Sequence, residues 1–203
     1  MTDDAPLRTF LAIEIPEEVR KGVALFQERL KSRIYGDIRW VRPEAIHLTL
    51  KFFGDIPPGD VTGIANVVER AVAGVEPLAL AIGGTGVFPD LRRPRVLWVG
   101  ILGDVARLLL LQAELEQGLE RIGFPREERP FRPHLTLGRI RSPRGMADLG
   151  KVLEKGKGFD AGRFVAAELA LFRSELTPHG AIYTKLKGFP FGGEAKEVKP
   201  KGA

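Results

Sequence analysis

Two of the chain's three histidines stand in one repeated frame. Arg42-Pro43-Glu44-Ala45-Ile46-His47-Leu48-Thr49-Leu50 aligns with Arg129-Pro130-Phe131-Arg132-Pro133-His134-Leu135-Thr136-Leu137, matching at Arg, Pro, His, Leu, Thr and Leu. On a β-strand alternate side chains share a face, so His47 and Thr49 point one way while Leu48 and Leu50 point into a core. His134 and Thr136 stand in the same relation to Leu135 and Leu137. If the two faces oppose one another, a cleft between them holds two imidazoles and two hydroxyls. That set suits phosphoryl transfer without a metal. A neutral imidazole takes a proton from the attacking water, an imidazolium protonates the leaving oxygen, and the hydroxyls donate to non-bridging phosphate oxygens. An ordinary imidazole pKa of about 6.5 makes both protonation states available near neutrality, with a bell-shaped rate profile as the consequence.

The third histidine, in Thr177-Pro178-His179-Gly180, has no such company and reads as a surface turn residue. A catalytic zinc usually takes three protein ligands. Here Glu44 has Phe131 as its counterpart, so no third ligand recurs, and neither a metal nor another cofactor is expected.

Periodicity places the frames on strands. Leu7 to Ile15 reads as a buried strand; Pro16-Glu17-Glu18 opens a helix whose apolar positions Val19, Val23, Phe26 and Leu30 recur at helical spacing. A loop through Gly36 leads to a strand around Ile46 to Phe53. Pro57-Pro58-Gly59-Asp60 starts a helix with Val61, Ile64, Val68 and Val72 on one side. Strands follow at Leu78 to Ile82, continuing past the glycines to Val87-Phe88, and at Arg95 to Leu102. The second half replays this order: a helix over Asp104 to Arg121, a strand over His134 to Ile140, a helix over Met146 to Lys155, and strands over Phe164 to Phe172 and Ala181 to Leu186. The expectation is an α+β fold of two pseudo-symmetric halves, forming one domain over residues 1–191 with a flexible basic tail over 192–203.

Composition narrows the classes. With 44% hydrophobic and 28% charged residues in 203, a sizeable core is available and wholesale disorder is excluded. Cysteine is absent, which removes disulfides, thiolate metal sites and a cysteine nucleophile. A net charge of +5 and a pI of about 9.6 fit a polyanionic partner such as RNA, and equally a basic surface with no such partner. No apolar run approaches the roughly 18 residues of a membrane span, and Met1 to Pro6 lacks the pattern of a secretory signal. A cytoplasmic monomer is the default expectation.

The paired His-Leu-Thr-Leu motifs resemble the signatures of the two-histidine phosphoesterase superfamily. Further stretches resemble its RNA 2′,3′-cyclic phosphodiesterases, also called 2′-5′ RNA ligases: Arg8-Thr9-Phe10-Leu11-Ala12-Ile13, His47 through Gly54, Pro94 through Gly100 and Pro133 through Arg139. The resemblance covers about residues 7 to 190. It implies a bilobal α+β fold whose antiparallel sheets line a central cleft, with helices outside. It also implies metal-independent opening of an RNA 2′,3′-cyclic phosphate end to a 2′-phosphate, and in many members a reversible, cofactor-free 2′-5′ joining of tRNA halves. His47 matches the proton donor to the leaving oxygen, His134 the residue that activates water, and Thr49 and Thr136 the phosphate-binding hydroxyls. Arg139 matches an arginine tied to substrate phosphate, although strict alternation puts it on the face opposite His134 unless the strand bulges. Phe52 matches an aromatic that can contact a base, with core packing beside Phe53 as the competing role; Trp98 reads as core. A non-catalytic RNA-binding module is the alternative from another class, and it lacks an aromatic platform.

Overall fold

The computed structural model describes residues 5–192 apart from Pro143, Gly145 and His179, so His179 itself and the tail beyond Gly192 lie outside the described residues. The chain runs β1 (Leu7–Glu14), α1 (Glu17–Lys31), β2 (Asp37–Trp40), a 3-10 turn (Pro43–Ala45), β3 (His47–Ile56), α2 (Asp60–Val72), β4 (Leu78–Phe88), β5 (Val96–Gly103), α3 (Val105–Glu120), β6 (His134–Ser142), α4 (Leu149–Gly156), β7 (Asp160–Ala166), β8 (Glu168–Thr177) and β9 (Gly180–Pro190).

Two antiparallel sheets result, in the orders β3-β1-β8-β9 and β2-β6-β5-β4-β7. Leaving aside the short β2, they correspond strand for strand: β3 to β6, β1 to β5, β8 to β4 and β9 to β7. The lobes are therefore not the two halves of the sequence. β4 crosses from the first half into the second half's sheet, while β8 and β9 join β1. The helices cross as well. α1 packs on β7 and α4 on β4, whereas α2 touches β9 and packs against α3, which lies beside β3.

One apolar cluster joins both sheets and all four helices, including Leu11, Val23, Phe26, Ile64, Leu108, Leu135 and Leu153. Fully burying each such side chain contributes about 1.5–3 kcal/mol. The crowded apolar run of β1 has a specific cause. Leu11 and Ile13 belong to this main cluster, while Phe10 and Ala12 form a second with Ala170 and Phe172, so β1 is covered on both faces.

Three expectations are corrected. The segment after Gly36 is not all loop: β2 pairs with β6, although its four residues are too few and too polar to show a period. The single strand over Phe164 to Phe172 is two, β7 and β8, in different sheets, because the chain changes sheet at Ala167 with no glycine or proline to mark it. α4 begins at Leu149, not Met146. The glycines inside β4 do not end it. Gly84, at φ +67, sits in a register shift that lets the strand run on to Phe88.

Candidate active site

β3 and β6 approach one another where the two sheets meet, with Cα atoms within 8 Å, and the sheets open into a cleft of about 680 Å³. His47, Thr49, His134 and Thr136 all line it, behind which Leu48, Leu50, Leu135 and Leu137 are buried. The structure thus brings the four motif side chains together in one space.

Both imidazoles are held the same way. Nδ1 of His47 donates to the carbonyl of Ala45 at 2.9 Å, and Nδ1 of His134 to that of Arg132 at 2.6 Å. A carbonyl only accepts, so each ring carries its proton on Nδ1 and leaves Nε2 for the cleft. The rings are also wedged by aromatics. Phe10 stacks on His47 at 4.5 Å and Tyr183 meets it edge-on at 5.1 Å, while Phe88 meets His134 edge-on at 4.9 Å.

This packing has an electrostatic consequence. Burial lowers the pKa of His47 to about 4, against the opposing pull of the Ala45 carbonyl. Burial also lowers that of His134, where the Arg132 carbonyl opposes it and the nearby Arg139 guanidinium adds to it. Burial thus favours the neutral form of both rings in the empty cleft, and for His47 down to well below pH 6. Tyr183 is shifted upward by burial, opposed by Arg139, Arg42 and Arg8.

Arg139 and Phe52 both reach the cleft, and the reason is a shared irregularity. The β1–β3 ladder steps from Ala12↔Thr49 to Leu11↔Lys51, passing over Leu50. The β5–β6 ladder steps from Trp98↔Thr136 to Leu97↔Gly138, passing over Leu137. Each bulge flips the alternation beyond it. Lys51 and Gly138 become the buried residues, and Phe52 and Arg139 turn to the histidine side. Gly138 is needed here, since a Cβ would stand 2.7 Å from Ile38 of β2. Phe52 is 41% exposed with the Arg8 guanidinium 4.5 Å from its ring centre, so it does not share a core role with Phe53. Trp98 is in neither place: it is half-buried against Phe88, outside both the apolar clusters and the cleft lining.

Sequence reasoning missed much of the lining. Arg8, Arg39, Arg42, Phe10 and Tyr183 come from β1, β2, the β2–β3 connection and β9. Arg42 opens the first repeat frame, yet its counterpart Arg129 lines a different groove, so the repeat gave no usable signal for it. Of the described residues, four arginines and no carboxylate face the cleft, which makes it a site for anions. Among the described residues no three His, Asp or Glu side chains gather as a metal site. Nor is any helix among them long and apolar enough to cross a membrane.

A family profile described as LigT-like phosphoesterase matches two segments, residues 13–98 and 100–183. The chain belongs to the LigT-like phosphoesterase family. An RNA 2′,3′-cyclic phosphodiesterase of Methanothermobacter thermautotrophicus is 39% identical over 183 residues, 90% of this chain and 98% of that one. A crystal structure of a Thermus thermophilus protein superposes with a TM-score of 0.77 at 29% identity, covering 93% of this chain and all of the other. E. coli LigT complexed with 3′-AMP gives 0.74 at 26% identity, over 92% of this chain and 98% of that one. The two tandem matches of one phosphoesterase profile each contain one His-Leu-Thr-Leu strand.

Proposed function

We propose that this phosphoesterase opens RNA 2′,3′-cyclic phosphate ends to 2′-phosphomonoesters, using the two imidazoles as acid and base and no metal. The observation that carries the reading is the matched pair of carbonyl-fixed histidines, each beside a threonine, in one carboxylate-free, arginine-lined cleft. The name of the relative at 39% identity supports the substrate, and the 3′-AMP complex of E. coli LigT supports a nucleotide-sized ligand.

Nε2 of His134 takes a proton from water, whose oxygen attacks phosphorus as the bond to O3′ breaks; protonated His47 gives its Nε2 proton to O3′. The product keeps phosphate on O2′. One proton is lost by His47 and one gained by His134, so exchange with solvent resets the pair. Thr49, Thr136 and Arg139 bind the non-bridging oxygens, and Phe52, backed by Arg8, receives the terminal base. His47 is neutral in the empty cleft. The acid role therefore requires the bound phosphate anion to raise its pKa.

The test is an oligoribonucleotide ending in a 2′,3′-cyclic phosphate, incubated with purified protein and excess chelator. Conversion to a 2′-phosphate end is expected, abolished by His47→Ala or His134→Ala and kept by His179→Ala. Loss of activity in chelator overturns the metal-free reaction, and a 3′-phosphate product overturns the leaving-group assignment. Residues 1–191 are read as one duplicated, two-lobed domain, supported by the tandem profile match and the corresponding sheet orders.

A further inference from the structure

The apolar stripes of α1 and α3 each contain a glutamine at the same place, joined in α3 by the buried Glu116. Val23-Phe26-Gln27-Leu30 and Leu108-Leu111-Gln112-Leu115 are spaced alike, and Gln27 and Gln112 are both buried. A buried amide is costly unless its N–H groups find acceptors. Nε2 of Gln27 donates to the carbonyls of Leu137 at 2.9 Å and Val41 at 2.7 Å. Nε2 of Gln112 donates to the carbonyl of Leu50 at 3.5 Å and to Glu116 Oε1 at 3.1 Å.

Leu50 and Leu137 are the residues over which the strand ladders step just past each motif threonine; the β1–β3 ladder steps once more, over Phe53. A bulged residue falls out of the regular ladder, so its backbone groups need donors from elsewhere. Each glutamine supplies one, and it does so from the other half of the sequence. The first half's helix reaches the second half's motif strand, and the reverse holds for the other pair. The surrounding bonds tie the same points. The Leu137 carbonyl also accepts from the Val41 amide at 2.9 Å, and Lys51, next to Leu50, is held by Glu116 at 2.8 Å.

We infer that Gln27 and Gln112 are positioning residues, which hold the bulges that turn Arg139 and Phe52 into the cleft. Neither glutamine lines the cleft, so each acts through the strand. The inference rests on reading Arg139 as the phosphate ligand and Phe52 as the base platform.

Gln27→Met keeps the length and removes the donor. Calorimetry measures the affinity for inorganic phosphate and for 2′-AMP in wild type, Gln27→Met, Arg139→Ala and the double variant. Gln27→Met is expected to weaken phosphate binding by between about ten- and a hundredfold, the scale of a misplaced binding group. The double variant is then no weaker than Arg139→Ala alone. In the parallel cycle, Gln112→Met removes the preference for 2′-AMP over phosphate, and adding Phe52→Ala removes no more. Gln27→Asn, whose amide stops one methylene short, gives the same readout where Gln27→Met does not fold. Losses that multiply in the double variants, or lowered melting temperatures with unchanged affinities, overturn the inference. A wild type that binds phosphate but leaves cyclic ends intact refutes the phosphodiesterase reading while the cycles remain readable. One that binds neither ligand overturns both.

Discussion

Binding a phosphate monoester drives a proton onto His47. In the empty cleft burial holds its pKa at about 4, so at pH 5.5 the ring is almost wholly neutral. A bound 2′-phosphate brings at least one negative charge beside the ring. A unit charge at about 4 Å is worth roughly 4 kcal/mol at an effective dielectric constant near 20. At about 1.4 kcal/mol per pKa unit that is close to three units, which carries His47 to about 7 in the complex. The arginines that share the anion reduce this figure, and a second phosphate charge increases it. Near one proton is therefore taken up per 2′-AMP bound at pH 5.5. Calorimetry in buffers of different ionisation enthalpy counts that proton, and imidazole NMR signals, assigned with His47→Gln and His134→Gln, locate it. His134, also shifted down by burial, moves upward in the same titration. If His47 still titrates near 4 with 2′-AMP bound, it is not the proton donor and the acid–base assignment fails.

Other outcomes follow from the same structure. Because His47 titrates at about 4 when folded and near 6.5 when unfolded, the unfolded chain binds more protons between those values. Its contribution is thus present above pH 6.5 and lost as pH falls toward 4, by an amount of order 3 kcal/mol at most; urea unfolding of wild type and His47→Gln at pH 7 and 4.5 tests it, and equal pH slopes would rule it out. Lys51→Met strands Glu116 in a buried site and costs about 3–5 kcal/mol in the same assay, much of which Lys51→Met with Glu116→Leu restores. Phe52→Leu leaves stability within about 0.5 kcal/mol, because the ring is exposed, yet weakens 2′-AMP binding by roughly 1–3 kcal/mol and inorganic phosphate not at all. Equal weakening of both ligands would remove its role as a base platform. Tyr183→Phe keeps the edge contact with His47, so folding is unchanged; a raised KM with unaltered kcat marks the hydroxyl as a substrate contact.

The motif was legible because a strand's side-chain period is set by its own backbone. His47 with Thr49, and His134 with Thr136, could be given a face from spacing alone, and the repeat made the pair stand out. The same rule misplaced Arg139. Alternation holds only until a bulge, and the step over Leu137 depends on how β6 pairs with β5 and what Gln27 offers it from the other half of the sequence. Lys51 shows the same limit: a lysine beside two phenylalanines is buried because Glu116, from a helix of the other half, meets it there.

Which groups are candidates for the chemistry was already written in the order of the residues, since three histidines, one repeat and local periodicity left few choices. Most helices and strands were written there too, because their patterns are short-range. Which strands share a sheet was not. Long-range pairing fixed that, together with the exchange of β4, β8 and β9 between the sequence halves and the arrival of Arg8, Arg42 and Tyr183 to complete the cleft. The protonation of the histidine pair came from folding as well. A pKa answers to burial and neighbouring charge, and these come from residues far away along the chain.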